Sequence, residues 1–120
     1  MVSGFDDYLG LEWDPGSDGR AQVRLTAVER HLNPHGTVHG GVLGSLADVA
    51  STKAVESFAA HTLGVTIELK ITYLSPARRG LLVADAHVIK RGRTITIVET
   101  EIKQDQEWVA HAIGTFIIRG

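Results

Sequence analysis

One stretch of this sequence, residues 40 to 60, has a helical pattern, and this stretch limits the folds that the chain can adopt. At 100° per residue, six of its apolar side chains fall within about 120° of arc. The helix therefore has one apolar face, which can pack on a sheet. That face comprises Leu43, Leu46, Ala47, Ala50, Ala54 and Phe58.

Much of the remaining chain has the patterns of β-strands. Residues 20–28 and 65–73 alternate between polar and apolar, residues 81–89 and 94–102 form the arms of a hairpin, and residues 108–118 form a last strand. Short turns between successive strands favour antiparallel pairing. One long helix on one face of an antiparallel sheet predicts an α+β domain of two layers. The clearest alternation places on one face Val65, Ile67, Leu69, Ile71 and Tyr73.

The opposite face of the helix is built from small or polar residues. A helix surface that meets only water usually carries long charged side chains, so we expect a ligand or a partner subunit to approach here. One helix also covers only part of a sheet of five or six strands. The remaining apolar surface, including that of the last strand, is expected to meet a second copy of the chain, which predicts a homo-oligomer. The small face comprises Gly41, Gly44, Ser45, Asp48, Thr52 and Val55.

Length and composition exclude several classes of protein. The 120 residues fit one domain, assigned to residues 1–120. A net charge of −2 argues against general nucleic-acid binding, and the absence of cysteine excludes disulfides and a thiol nucleophile. No segment has the roughly 18 to 20 apolar residues of a membrane helix, and residues 1–8 lack the features of a signal peptide. We expect a cytoplasmic protein that binds neither membranes nor nucleic acid.

The start of the helix and one residue in its middle could form a catalytic site. The N–H groups of Gly40 and Gly41 lie at the positive end of the helix dipole, where an anion or a polarised carbonyl oxygen can bind. Asp48 lies two turns later on the same face, about 10 Å along the axis. Alternatively, the two glycines form only a tight turn, and Asp48 is only a solvated surface carboxylate. Asn33, ahead of Pro34, either orients a bound group or starts a turn.

The histidine spacing does not favour a metal site. His31, His35 and His39 are spaced by four, which brings side chains together only on a helix. Pro34 and Gly36 interrupt any helix between them, so we predict no metal ligands here. The remaining histidines are isolated in the sequence: His61, His87 and His111.

Two predicted turns are rich in basic residues. They suit a multiply phosphorylated ligand if both lie at the same end of the sheet, and otherwise they are solvated turns. The residues are Arg78, Arg79, Lys90, Arg91 and Arg93.

The run from Asn33 to Asp48, NPHGTVHGGVLGSLAD, resembles the signature of hotdog-fold acyl-CoA thioesterases, most closely the phenylacetate-degradation branch. Residues 64–77 and 90–94 resemble family segments in the same order, so the resemblance covers nearly the whole chain. It implies a hotdog fold, in which an antiparallel sheet of five to six strands wraps one long central helix. It also implies active sites at the interface of a dimer, and such dimers commonly pair into tetramers.

The resemblance implies roles for individual residues. Asp48 matches the catalytic carboxylate, either a nucleophile or the base for water, and Gly40 matches the glycine whose N–H polarises the thioester carbonyl. His39 matches a supporting histidine, Asn33 a residue that positions water or the leaving group, and Thr66 a residue near the water, expected from the partner subunit. The expected substrate-binding residues are Gly41, Thr52, Arg79, Arg91 and Arg93, with the arginines at the nucleotide end of coenzyme A.

The expected activity is hydrolysis of an acyl-CoA to a free acid and coenzyme A, without a cofactor. Two alternatives stay open: a hydratase or dehydratase on the same fold, and a non-catalytic acyl-CoA-binding module. The spacing between His39 and Asp48 follows the thioesterase pattern rather than that of the hydratases. An aryl and a medium-chain acyl group are equally compatible with the sequence.

Overall fold

The computed structural model describes residues 4–58 and 62–119 and has one long helix packed on one face of a six-stranded sheet. The predicted α+β architecture of two layers is therefore confirmed. The elements in chain order are α1 (Gly4–Leu9), β1 (Glu12–Trp13), β2 (Arg20–Ala27), a 3₁₀ turn (Glu29–His31), α2 (Gly40–Glu56), β3 (Leu63–Tyr73), β4 (Gly80–Arg91), β5 (Ile95–Gln104) and β6 (Glu107–Arg119).

The helix α2 begins at the predicted residue and ends earlier than predicted. It stops at Glu56, and Ala59 and Ala60 lie outside the described residues. Phe58 follows the helix and is only half-buried, because its ring lies under the guanidinium of Arg91 at 4.1 Å instead of in the core. The other predicted residues of the apolar face are all buried, namely Leu43, Leu46, Ala47, Ala50 and Ala54.

One residue assigned to the small face of the helix is in the core. Val55 is buried, and a Cβ at Gly64 would lie 3.2 Å from its Cγ1. The start of β3 thus crosses closely over the last turn of α2, because glycine leaves room for the valine. Without Val55, the small face comprises Gly41, Gly44, Ser45, Asp48 and Thr52.

The sheet has the strand order β1-β2-β4-β5-β6-β3, and every neighbouring pair is antiparallel. β3 does not pair with β4, which follows it in sequence, and instead takes the edge beside β6. The last strand is therefore inside the sheet, and the two edges belong to β3 and to the two-residue β1. Exposed apolar side chains on β3 include Leu63, Val65 and Ile67.

The core lies between α2 and the inner face of the sheet. Fully burying one large apolar side chain contributes about 1.5–3 kcal/mol, so this layer supplies most of the stability. No helix among the described residues is long and apolar enough to span a membrane. The largest buried apolar side chains are Phe116, Leu25, Leu46, Leu82 and Ile102.

Candidate active site

The start of α2 is capped by a single residue, His39. Its Nδ1 accepts a hydrogen bond from the Gly41 N–H at 2.8 Å. Its carbonyl oxygen accepts from the N–H groups of Val42 and Leu43 at 2.9 and 3.3 Å. Since the first four N–H groups of a helix have no partner within it, the Gly40 N–H is the one left without a partner among the described residues. This N–H is the donor that the helix end offers to a ligand.

The same contact determines where His39 carries its proton. A neutral imidazole has one donor and one acceptor nitrogen, and Nδ1 is the acceptor here. The proton is therefore on Nε2, and the exposed ring presents an N–H to the outside. Glycine at position 41 favours this arrangement, because a Cβ there would lie in tight contact with Nδ1, at 3.0 Å.

The carboxylate of Asp48 is held by a hydroxyl from β3. Thr66 Oγ1 donates a hydrogen bond to Asp48 Oδ1 at 2.7 Å, and both residues belong to the same chain. Thr66 was expected near the attacking water from the partner subunit, whereas this contact with Asp48 is made within one chain. Asp48 is half-buried, and its Oδ2 has no hydrogen-bond partner within residues 4–58 and 62–119, so one carboxylate oxygen is free to act on a ligand.

A β-bulge brings Thr66 to Asp48. Leu69 pairs with Gly114 and faces the helix. Thr66 pairs with Phe116 and faces the same way, because the register shifts between Thr66 and Glu68. Strict alternation from Leu69 would put Ile67 on this face. The prediction that residues 65, 67, 69, 71 and 73 share one face is therefore wrong for Val65 and Ile67, which lie on the other face. The bulge leaves Ile67 exposed and turns the threonine hydroxyl toward the carboxylate.

The two reactive groups of one chain are far apart. Gly40 and Asp48 are separated by about 12 Å along α2 at 1.5 Å per residue. A carbonyl group is only about 1.2 Å long, so one thioester cannot directly contact the Gly40 N–H and the Asp48 carboxylate of the same chain.

Asn33 organises the loop that leads to the helix. Its Oδ1 accepts from the N–H groups of His35 and Thr37 at 2.9 and 3.2 Å, and its Nδ2 donates to Thr37 Oγ1 at 2.9 Å. Both acceptor sites are thereby used within the loop, and one N–H of the amide is left for another group. The geometry favours the turn-forming alternative and leaves a donor role open.

The small face of α2 has room that this chain does not fill. A Cβ at Gly44 would meet nothing within 4 Å. The hydroxyls of Ser45 and Thr52 donate back to the carbonyls of Gly41 and Asp48, both within 2.9 Å, so they do not project outward. Gly41 is exposed and Thr52 half-buried, and both flank the open strip beside Asp48.

A cavity of 420 Å³ opens beside Gly40, and the sequence did not reveal it. Tyr73, the last residue of β3, lies on one side of the cavity and donates from its hydroxyl to the Gly40 carbonyl at 2.9 Å. The only sequence signal was the place of Tyr73 at the end of the alternating run. The cavity is otherwise mainly apolar, with Val38, Leu43, Leu74, Pro76 and Ala77 among its lining residues.

The basic turns do not form one patch. They lie at opposite ends of β4, which at 12 residues is about 40 Å long. Arg79 is near the helix start and forms an ion pair with Glu29, whereas Arg91 stacks on Phe58 near the other end of α2. Arg93 follows β4 at this second end. A phosphorylated ligand can therefore contact only one of the two groups within a chain.

The His31 side chain binds the backbone through both ring nitrogens. The buried His31 accepts from the Val28 N–H through Nδ1 and lies 2.8 Å from the Leu9 carbonyl through Nε2, so both nitrogens bind the backbone. No group of metal-ligating residues is present in the described part of the chain. His61 lies outside it.

Two histidines that are isolated in the sequence meet on the outer face of the sheet. His87 on β4 and His111 on β6 contact the two oxygens of Glu99 on β5 at 3.2 and 2.8 Å. The hydrogen bond from His111 is the main reason that the pKa of Glu99 is below its ordinary value. The cluster is across the sheet from α2 and is separate from Asp48.

Comparison with known proteins adds to this geometry. Residues 35–110 match the family model described as the thioesterase superfamily. Human acyl-coenzyme A thioesterase 13 is 35% identical over 100 residues, which cover 82% of this chain and 71% of the human protein. Two solved structures share the fold over almost the whole chain.

The first is a conserved protein of Pseudomonas aeruginosa, with 35% identity and a TM-score of 0.95 over 99% of this chain and 96% of the other. The second is the PaaI protein from the phenylacetic acid degradation operon of E. coli, with 32% identity and a TM-score of 0.90 over 98% and 86%. The likeness thus includes α2, the loop before it and the edge strand β3.

Proposed function

The chain belongs to the thioesterase superfamily, and we propose that it hydrolyses acyl-CoA thioesters with Asp48 and the Gly40 N–H, at a site shared between two subunits. It is a thioester hydrolase of the hotdog fold. The observation that carries the residue assignment is a pair of groups on α2 that residues 4–58 and 62–119 leave unused. They are the Gly40 N–H and one oxygen of the Asp48 carboxylate, whose other oxygen is held by Thr66.

These groups supply what thioester hydrolysis needs. The Gly40 N–H receives the charge that develops on the carbonyl oxygen, and removing such a donor typically costs about 10²- to 10³-fold in rate. Asp48 takes a proton from water as the water oxygen bonds to the carbonyl carbon. The C–S bond then breaks, and the leaving thiolate takes the proton, giving a free acid and coenzyme A.

A second route uses the carboxylate as the nucleophile. Asp48 attacks the carbonyl carbon, the C–S bond breaks to give a mixed anhydride, and water then hydrolyses the anhydride. In a single turnover in ¹⁸O-water, water that adds to the Asp48 carbonyl carbon of the anhydride places the label in the Asp48 side chain, which only the nucleophilic route can do. With Asp48 as a base, the label enters the released acid alone.

The distance along α2 supports a shared site. Since about 12 Å separates Gly40 from Asp48, one thioester meets both groups most directly when a partner's helix start lies beside Asp48. The open strip at Gly44 leaves space for such an approach. The free edge of β3, with Val65 and Ile67 exposed, is a surface on which a second copy can add a strand.

Mixing two inactive variants tests the shared site. The Asp48→Asn and His39→Ala variants are each expected to be nearly inactive. Random exchange of subunits makes about half of the dimers mixed, with one subunit of each variant, and in these both changes fall in the same one of the two sites. The other site is intact, so about a quarter of the wild-type activity should return. If each site is built from one chain, the mixture stays inactive.

The three arginines expected to bind the nucleotide end of coenzyme A do not lie together in the fold. Arg79 is near the helix start, and Arg91 and Arg93 are at the far end of β4. We propose that the coenzyme A phosphates contact either Arg79 or the pair Arg91 and Arg93. Replacing the group that binds the phosphates should raise KM more than it lowers kcat. Comparing Arg79→Ala with the double change of Arg91 and Arg93 to Ala identifies it.

The direct test of the activity is release of free coenzyme A, followed with a thiol reagent, across aryl-acetyl, benzoyl and straight-chain acyl-CoAs. The chain has no cysteine, so it does not react with the reagent. Asp48→Asn should lower kcat by about 10²- to 10⁴-fold while acyl-CoA still binds. Asp85→Asn is the matched control, because Asp85 lies on the outer sheet face and pairs with Gln22.

The panel also tests the alternatives. A non-catalytic binding module would bind acyl-CoA, release no coenzyme A, and tolerate Asp48→Asn without change. A hydratase or dehydratase would convert an enoyl or hydroxyacyl thioester and leave the C–S bond intact. Wild-type turnover by Asp48→Asn would refute the site assignment.

Three further properties complete the proposal: a cytoplasmic location, a homodimer or tetramer, and a reaction without a cofactor. Light scattering gives the oligomeric state directly. Since a carboxylate, an N–H donor and water suffice for the chemistry, activity should be unchanged after dialysis against a metal chelator. A loss that a divalent ion restores would contradict this.

A further inference from the structure

The phenol of Tyr73 touches the helix start at two points. Its hydroxyl donates to the Gly40 carbonyl at 2.9 Å. Its ring is also close to this glycine, since a Cβ at position 40 would be 3.2 Å from the phenol oxygen and 3.3 Å from Cζ. The residue that carries the unpaired N–H is thus fixed from β3 as well as from the helix.

The acceptor of this hydrogen bond belongs to the peptide unit between Gly40 and Gly41. The N–H of that same unit is the Gly41 N–H, which donates to His39 Nδ1. The Tyr73 hydroxyl, the peptide unit and the imidazole are therefore connected in series. A hydrogen bond accepted by a peptide carbonyl makes the N–H of that unit a stronger donor, so the two bonds reinforce each other.

We propose that Tyr73 is a positioning residue that, through the peptide unit between residues 40 and 41, holds His39 with its proton on Nε2 and directs this N–H toward the bound thioester. Tyr73 acts through the backbone and forms no bond to the reacting atoms. Its contribution to turnover rests on the proposed function, whereas its effect on the imidazole does not.

The position of Tyr73 makes a substitution informative. About half of its surface is exposed, and it lies at the end of an edge strand, so losing one hydroxyl leaves the core unchanged. Tyr73→Phe keeps the ring against Gly40 and removes only the donor. Tyr8→Phe is the matched control, because Tyr8 is 70% exposed on α1.

The first readout is the tautomer of His39, measured from the ¹⁵N chemical shifts of its two ring nitrogens. The wild type and Tyr8→Phe should show the Nε2–H form. In Tyr73→Phe the Gly41 N–H is held less firmly, and the two shifts should move toward each other as the Nδ1–H form becomes populated. Unchanged shifts in Tyr73→Phe would overturn the proposal.

The second readout is kinetic. Losing a neutral hydrogen bond corresponds to about a 2- to 10-fold change, and we expect that loss in kcat with little change in KM. A change of tautomer with wild-type kcat would overturn the link to catalysis. If the wild type released no coenzyme A at all, the proposed function would fail, and the ring shifts would still decide whether Tyr73 positions His39.

Discussion

The hydroxyl of Thr66 donates to Oδ1 of Asp48 at 2.7 Å, from a bulge in the edge strand to the middle of the only long helix described. The bond occupies one carboxylate oxygen and fixes the direction of the other. Thr66 therefore orients Asp48 so that Oδ2 can accept a proton or attack a carbonyl carbon. The edge strand is thus part of the catalytic apparatus proposed above.

Replacing Thr66 separates the hydroxyl from the shape of the side chain. Thr66→Val should lower kcat by about 10-fold, because the carboxylate loses the donor that orients it. Thr66→Ser keeps the donor and should retain most of the activity. Thr72→Val is the control, since Thr72 is on the same strand and pairs with His111 on the outer face. Steady-state kinetics would contradict the role if Val and Ser variants behaved alike.

Gly44→Ala tests whether the open strip on α2 is covered in the working enzyme. Alanine is favoured over glycine inside a helix by about 1 kcal/mol, and this chain leaves room for the added methyl group. If the strip meets only water, stability rises and activity is unchanged. We expect instead that kcat/KM falls, because a substrate or a partner subunit occupies that space. Chemical unfolding and kinetics on the same preparation distinguish the two results.

A buried hydroxyl on β5 offers a test of the core. Thr96 is fully buried and its Oγ1 has no hydrogen-bond partner within the described residues. Thr96→Val should leave stability unchanged or raise it by about 1 kcal/mol, since an unpaired polar atom is removed. Thr100→Val should lower it by about 1–3 kcal/mol, because Thr100 bonds the buried Ser51 at 2.8 Å. Urea unfolding of the two variants should give shifts that differ in this direction.

The Glu99 cluster predicts a pH dependence of stability. The hydrogen bond from His111 lowers the pKa of Glu99 from its ordinary 4.5, while burial partly opposes this shift. A carboxyl group with a lowered pKa stabilises the fold above its unfolded-state value, and the contribution disappears as the pH falls through the folded value. Glu99→Gln should therefore lower the unfolding free energy near neutral pH.

The difference between Glu99→Gln and the wild type should shrink as the pH falls below 4.5, the ordinary pKa of the group. Glu101→Gln is the control, since Glu101 is on the same strand and the same face. Urea titrations across this range test the dependence. A difference that stays constant with pH would show that the carboxylate charge is not responsible.

The helix and its buried face were predictable because they follow from local periodicity. Asp48 was proposed from the sequence because an aspartate among small residues inside a helix is unusual, whereas the glycine at the helix start is a weak signal alone, and both roles stay predictions. Thr66 needed the resemblance, and its true geometry needed the structure, because a bulge has no clear signature in an alternating strand.

Other features depend on contacts between distant segments. The edge position of β3 depends on its pairing with β6 instead of β4, which periodicity does not encode. The meeting of His87, Glu99 and His111 depends on the register of three strands. The basic turns failed to converge for a related reason, because the length of β4 separates them.

The His39 cap affects which end of an acyl-CoA can bind at the start of α2 in the proposed site. A helix start with several free N–H groups is a general phosphate receptor, and coenzyme A carries phosphates at the end remote from the thioester. Here His39 occupies three of those groups and leaves the Gly40 N–H alone. One donor suits the single oxygen of a carbonyl and is a poor match for a phosphate. In the acyl-CoA site proposed above, the cap would therefore disfavour a substrate that binds in reverse.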